Sequence, residues 1–365
     1  MSFSMLASLR MRSGQAYKMR KTMNRREFIL GGSSAVGAMT LAGGCSTLTD
    51  ESGADGEGVR FLAFADIHYA SSGFWPHRDW AWLDRVLARA VDAKCDFVMD
   101  VGDMTFGPRT QDECDYVRHY NAFKPVKTYH TYGNHEYEGV TPEKLAEVYE
   151  MPKNYYSYDC KGFRFIALDP HYRLVDGRYE LFHKRCSYPG EKRQRSLGPV
   201  QLAWLRETVL GSPHPCVIFS HESFERIGDG VDESAEVRAL FAEANAACPG
   251  KVRLCVNGHD HVDNFRILDG VAYLDLNSAS YAIWSDHKGY PEDFRKRCGS
   301  ARCILTWNDP ISAVITMTPG GRLKIDGMKS SFYLGVTPEA VGWKKDAAGR
   351  AFTPDVQSVD LTMNY

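Results

Sequence analysis

Two apolar periods alternate along this chain. The short apolar run Arg60–Ala65 reads as a strand, Phe97–Val101 as a second, buried one and Val126–Tyr132 as a third. After the first run, Leu83, Val86, Leu87, Ala90 and Val91 recur at helical spacing, which predicts an amphipathic helix over Asp79–Lys94. A mixed, polar segment through Asn121 reads as a second helix. Thr141-Pro142-Glu143 reads as the start of a third, with Thr141 as cap and Pro142 at the first helical position.

This β-α-β-α-β-α order then gives way to a different pattern. Tyr155–Asp159 and Phe163–Asp169 flank Lys161-Gly162, a hairpin signal. Gln201–Leu210 and Glu233–Ala247 read as helices, and Cys216–Ser220 and Val252–Asn257 as strands. Phe265–Leu268, Val271–Leu276, Ile311–Met317 and Arg322–Ile325 read as further strands, with turns at Asp269-Gly270 and Gly320-Gly321. The sum is an α/β fold, a four-layer α-β-β-α sandwich of two mixed β-sheets flanked by helices. It occupies one domain over residues 59–335, and residues 336–365 form a C-terminal tail in which the pattern predicts no element.

Residues 1–45 read as an export signal. Arg25-Arg26 is followed by Phe28, aliphatic residues and a short apolar run, Gly31 to Leu41, which resembles a bacterial twin-arginine signal. The run is too short and too rich in Gly and Ser to span a bilayer. Ala42-Gly43-Gly44-Cys45 resembles a lipoprotein cleavage box with its large aliphatic residue one place early. Lipidation at Cys45, the one membrane attachment expected, stands beside plain cleavage as the alternative. Residues 46–58, rich in Ser, Gly, Asp and Glu, read as a flexible linker. The expected location is the periplasm or cell envelope.

Charge excludes one class of partner. Residues 1–44 hold seven Lys/Arg and one Glu, so the formal net charge of −2 becomes about −8 over the rest. A protein that binds nucleic acid by phosphate attraction should be basic, so no stable nucleic-acid binding is expected. The oligomeric state is not legible.

Candidate chemistry gathers where the strands end. Asp66-Ile67-His68, Gly102-Asp103, Gly133-Asn134-His135-Glu136, Ser220-His221 and Gly258-His259-Asp260-His261 each follow an apolar strand. Open α/β sheets place ligands outside the carboxyl ends of strands. Asp66, His68, Asp103, Asn134, His221, His259 and His261 supply the oxygen and nitrogen donors that divalent metals take, more than one ion can use. Period-two alternation would send Asp66 and His68 to one side of an extended chain, and likewise His259 and His261, making each pair chelating. Asp260 would then point away, as a solvent-facing loop residue, with support of the neighbouring ligands the alternative. Two ions sharing one carboxylate would use every ligand, the layout of two-metal phosphoryl chemistry.

On these motifs the chain resembles the calcineurin-like metallophosphoesterases, over roughly Arg60 to Ile325. The resemblance implies one metal on Asp66, His68, Asp103 and His261, and a second on Asp103, Asn134, His221 and His259, with Asp103 bridging. It implies His135 as the catalytic group that meets the leaving oxygen. Purple acid phosphatases carry a tyrosine ligand where this chain has Phe106, so a purple iron site is not expected. The two divalent or trivalent ions could be Fe, Mn, Zn, Co or Ni.

The expected activity is hydrolysis of a small phosphate ester by a metal-bridging hydroxide. A phosphodiester is preferred because the sequence resembles short single-domain members that include cyclic-nucleotide diesterases. A phosphomonoesterase is the alternative. The rival of another class is a catalytically degenerate binding scaffold, which normally loses ligands or the His135 position, and neither is missing. Residues 171–198 read as a basic loop, either a lid whose Arg173, Arg178 or Lys184 clamps phosphate oxygens or a solvated surface segment. Tyr69 and Tyr137, next to the motifs, are further candidates for substrate contact, with core packing the alternative.

Overall fold

The computed structural model of the protein describes residues 58–71, 80–106, 110–138, 140–151, 153–181, 195–226, 230–283, 286–343, 345–346 and 349–365. The signal of residues 1–45, Cys45, nearly all of the linker and Lys184 lie outside them. The first half of the fold runs β1 (Val59–Phe64), α1 (Ala81–Asp92), β2 (Phe97–Asp100), α2 (Thr110–Ala122), β3 (Lys127–His130), α3 (Pro142–Val148), β4 (Tyr156–Cys160), β5 (Phe163–Ala167), β6 (Tyr172–Val175) and β7 (Arg178–Leu181). It continues α4 (Gly198–Leu210), β8 (Cys216–Phe219), α5 (Ser234–Ala247), β9 (Val252–Asn257), β10 (Asn264–Leu268), β11 (Val271–Asp275) and β12 (Tyr281–Ile283). It ends α6 (Glu292–Arg297), β13 (Ile304–Thr306), β14 (Ala313–Met317), β15 (Arg322–Asp326) and β16 (Val359–Thr362).

Two six-stranded mixed sheets form the centre. The first has the order β16-β15-β14-β1-β2-β3, with β1, β2 and β3 parallel and the other three antiparallel. The second has the order β10-β11-β9-β8-β5-β4, parallel from β11 to β5, with an antiparallel hairpin strand at each edge.

Side-chain alternation builds the layers. On β1, Phe61 and Ala63 face inward to join Phe165, Phe219, Leu254 and Leu274 of the other sheet, while Leu62 and Phe64 face outward. The outward pair meets Leu83, Val86 and Leu87 of α1 and Tyr116 and Tyr120 of α2. On the far side, Ile166, Ile218 and Cys255 meet Leu205 and Val209 of α4 and Val237 and Phe241 of α5. Helix, sheet, sheet and helix therefore stack in that order, as the sequence pattern predicts. No helix among the described residues is long and apolar enough to cross a membrane.

Two segments differ from expectation. Residues 172–181, expected as loop, form the β6–β7 hairpin. Asp176 and Gly177 both have positive φ, 47° and 78°, the primed turn that suits two-residue hairpins. Lys161-Gly162 and Asp269-Gly270 close two other hairpins in the same way. The tail is also structured: β16 pairs with β15, and Trp343, Phe352 and Val356 enter the core between the sheets.

Candidate metal centre

The parallel strands of both sheets deliver their carboxyl ends to one place. Just past β1, β2, β8 and β9, the buried side chains of Asp66, His68, Asp103, His221 and His261 and the partly buried His259 converge. Candidate ligand atoms of Asp66, His68 and His261 lie within 4.8 Å of one another, as do those of Asp103, His221 and His259. His68, Asp103 and His135 form a third such group, so Asp103 belongs to two.

The backbone explains how. Asp66, His68, Asp103, His259 and His261 all have φ between 50° and 73°. Left-handed backbone costs a non-glycine residue roughly 1–2 kcal/mol, and such strain collects where function holds it in place. This corrects the extended-chain reading. The strands end before the ligands, and the turns aim each side chain separately. Asp66 and His68 do share a group, but His259 and His261 divide between two groups.

Hydrogen bonds fix the donor atoms. His221 Nδ1 donates to the carbonyl of Val101 at 2.8 Å, and His261 Nδ1 to the carbonyl of Tyr281 at 2.8 Å. Each ring therefore turns an Nε2 lone pair into the cluster, the arrangement that metal-binding histidines adopt. His68 Nε2 and His261 Nε2 lie 3.2 Å apart, a gap filled by one shared proton or by a cation. Among the described residues, the buried Asp66 Oδ1 and His221 Nε2 make no well-aligned hydrogen bond, though they lie 3.2 Å from His261 Nε2 and Asp103 Oδ2, respectively. Asp66 Oδ2 accepts the N–H of His259 at 3.0 Å, and Asp103 Oδ1 that of His135 at 2.9 Å, leaving one oxygen of each carboxylate for the centre. These donors suit a pair of metal ions.

Electrostatics agrees. Burial works against ionising Asp66 and Asp103, yet His261 beside the first and His221 beside the second hold both carboxyls below their usual range. Burial also works against a charged His221, but Asp103 and Asp66 pull its ring well above the usual histidine range. The two carboxylates thus demand positive charge here, from a proton or a metal cation. His68 is held down to about 4, mainly by burial, so its ring is neutral at neutral pH.

Glycines admit this crowding. A Cβ at Gly133 would collide with the Asp103 carboxylate, and one at Gly258 would lie 2.7 Å from Asp66 Oδ2. Gly133 thereby brings the buried Asn134 up beside Asp103. Glu136, to which the sequence reading gave no role, accepts the backbone N–H groups of Asp103 at 3.0 Å, Met104 at 2.8 Å and Gly133 at 2.6 Å. It clasps two of the ligand-bearing loops.

At the rim, His135 Nε2 lies 3.8 Å from Asp103 Oδ2 and Nδ1 lies 3.3 Å from Glu138 Oε2. Burial opposes its charging, but Asp103 and Glu138 raise it to about 9. The Phe106 ring packs beside His135 at 5.2 Å and brings no ligand atom.

Tyr137 is buried and its hydroxyl donates to Asp169, and Tyr69 is buried with its ring stacked on Trp80 at 4.3 Å. Both belong to the core, because their rings complete it. Arg173 sits on β6 opposite Glu180, and Arg178 is exposed beside the hairpin turn. Asp260 does not face solvent: Arg226 and Arg350 bind its carboxylate.

A dimetal phosphatase from Danio rerio superposes with a TM-score of 0.55 at 15% identity, covering 84% of this chain and 99% of that one. The Plasmodium inner-membrane-complex anchor GAP50 gives 0.48 at 11% identity, covering 85% and 90%. A purple acid phosphatase from Lupinus luteus gives 0.47 at 12% identity, covering 86% and 55%. At 15% identity the likeness to the first is one of fold. No curated protein matches the sequence significantly. The family profile for calcineurin-like phosphoesterases matches residues 59–263, more than half of the chain, from β1 through the last of the ligand motifs. The chain therefore belongs to the calcineurin-like phosphoesterases, metal-dependent hydrolases of phosphoric esters that use a dinuclear centre.

Proposed function

We propose that this protein hydrolyses a small phosphodiester, with Asp66, His68, Asp103 and His261 holding one metal ion and Asp103, Asn134, His221 and His259 the other. The observation that carries the reading is two donor groups, Asp66/His68/His261 and Asp103/His221/His259, linked by a third in which His68 and Asp103 come together with His135. Bound there, two ions supply Lewis-acid polarisation of the phosphoryl group and an easily ionised water as the attacking oxygen. The protein's own part is to orient the ester between the clusters and to donate a proton from His135 to the departing alkoxide. Glu138, 3.3 Å from His135 Nδ1, supports that role by favouring a protonated ring. Hydrolysis rates on a panel of diesters and monoesters, each with Mn²⁺, Zn²⁺, Co²⁺, Ni²⁺ or Fe²⁺, test the substrate class. Higher kcat/KM on diesters is expected, and a consistent preference for monoesters would reverse the assignment.

The same proposal places the enzyme in the cell envelope by twin-arginine export, on the strength of Arg25-Arg26 and the short apolar run after them. That route carries folded proteins, so the metals could load before export. Replacing both arginines by lysine should leave active enzyme inside the cell. Unchanged delivery to the envelope would defeat this part.

A further inference from the structure

We infer that Arg350 is a positioning residue of the metal centre, acting through Asp260 to fix the loop that carries His259 and His261. The inference rests on reading those two histidines as ligands.

Asp260 lies between them in sequence. Its carboxylate is 12% exposed and is bound from two sides, Oδ1 by Arg226 Nη1 and Oδ2 by Arg350 Nη2 at 3.3 Å. Arg226 stands five residues after His221, so one carboxylate ties the His221 loop to the His259 loop. The loop needs such a tie, because His259 and His261 hold φ of 73° and 54° and must be kept there.

Arg350 is itself held in place. Asp346 accepts its Nε–H and its backbone N–H, each at 2.7 Å. Its Nη1 lies 3.3 Å from Asp275 Oδ2. Asp275 ends β11 opposite Asn257, the last residue of β9, from which the His259 loop departs. One guanidinium thus bridges a strand end, the ligand loop and its own segment. A planar fork with several fixed donors can do this, and a lysine ammonium cannot. Arg350 lies outside the residues 59–263 that the family matches, so the brace comes from the C-terminal segment of this chain.

The test measures Mn²⁺ and Zn²⁺ dissociation constants by chelator competition for the metal-stripped wild type, Arg350→Gln, Arg350→Lys, Asp260→Ala and the Arg350→Gln/Asp260→Ala double variant. Melting temperatures of the metal-free proteins are measured alongside. Loss of an outer partner of a metal ligand typically weakens metal binding about 10–100-fold. Each single variant should show that loss, and the double should lose clearly less than the product of the two single losses, because both remove the Arg350–Asp260 contact. Wild-type affinities in Arg350→Gln, or losses that multiply in the double variant, would overturn the inference. So would a lowered melting temperature with unchanged affinity, which marks a merely structural arginine. Should Arg350→Gln fail to fold, Arg350→Lys decides by the same affinity readout. A wild-type protein that binds no ions would instead contradict the ligand reading itself.

Discussion

Glu136 Oε2 accepts the backbone N–H of Asp103 at 3.0 Å, across 33 residues of chain. The same oxygen accepts Gly133 N–H at 2.6 Å, so the loops presenting Asp103 and Asn134 close on one buried carboxylate. Glu136→Gln replaces one acceptor oxygen by a donor and leaves at least one buried N–H unsatisfied. An orphaned buried donor costs about 1–3 kcal/mol. The variant should be destabilised by that order in denaturant melts and should bind metal more weakly. A stability equal to that of the wild type would remove this role.

His135 is expected to keep the metals and change the chemistry. His135→Ala should retain two ions but lose about 10²–10⁴-fold in rate on alkyl esters, the typical worth of a general acid. The loss should be far smaller on nitrophenyl esters, whose leaving group departs without a proton. Equal losses on both, with metals retained, would assign the ring to stabilising transition-state charge instead.

Glu113 gives a pH-dependent stability. It is buried and accepts hydrogen bonds from the hydroxyls of Thr105 and, at 2.7 Å, Tyr149. Burial, and then the charge of Glu136, raise its carboxyl from the usual 4.5 to about 8. A raised acid favours folding while it is protonated, so its contribution is full below about 4.5 and is lost as pH rises through about 8. Glu113→Gln should flatten the fall of melting temperature across that window. Parallel profiles for variant and wild type would contradict it.

The ligand motifs were legible because their signal is local. An apolar strand followed at once by Asp, Asn or His, with Gly133 or Gly258 opening space, lies within a few residues. The two sheets were legible from apolar runs and Lys161-Gly162 and Asp269-Gly270 turns. Asp176-Gly177 carries the same signal, but the charged residues around it masked the hairpin. The tail was not legible, since β16 joins the sheet by pairing with β15, and Val359–Thr362 alternates too briefly to announce it. Glu136 and Arg350 escaped notice, and Asp260 lacked a partner on which to choose its role, because the partners lie 33 and 90 residues away and only the fold brings them together.

Asp103 Oδ2 lies 3.2 Å from His221 Nε2 of one donor group and 3.8 Å from His68 Nε2 of the other, which is the position of a shared carboxylate. Metal content per chain, measured by elemental analysis on purified wild type and Asp103→Ala at matched folding, tests it most directly. The account predicts two ions in the wild type and weakened retention of both in the variant, with activity gone. Two ions per chain retained by Asp103→Ala would contradict the shared-carboxylate centre.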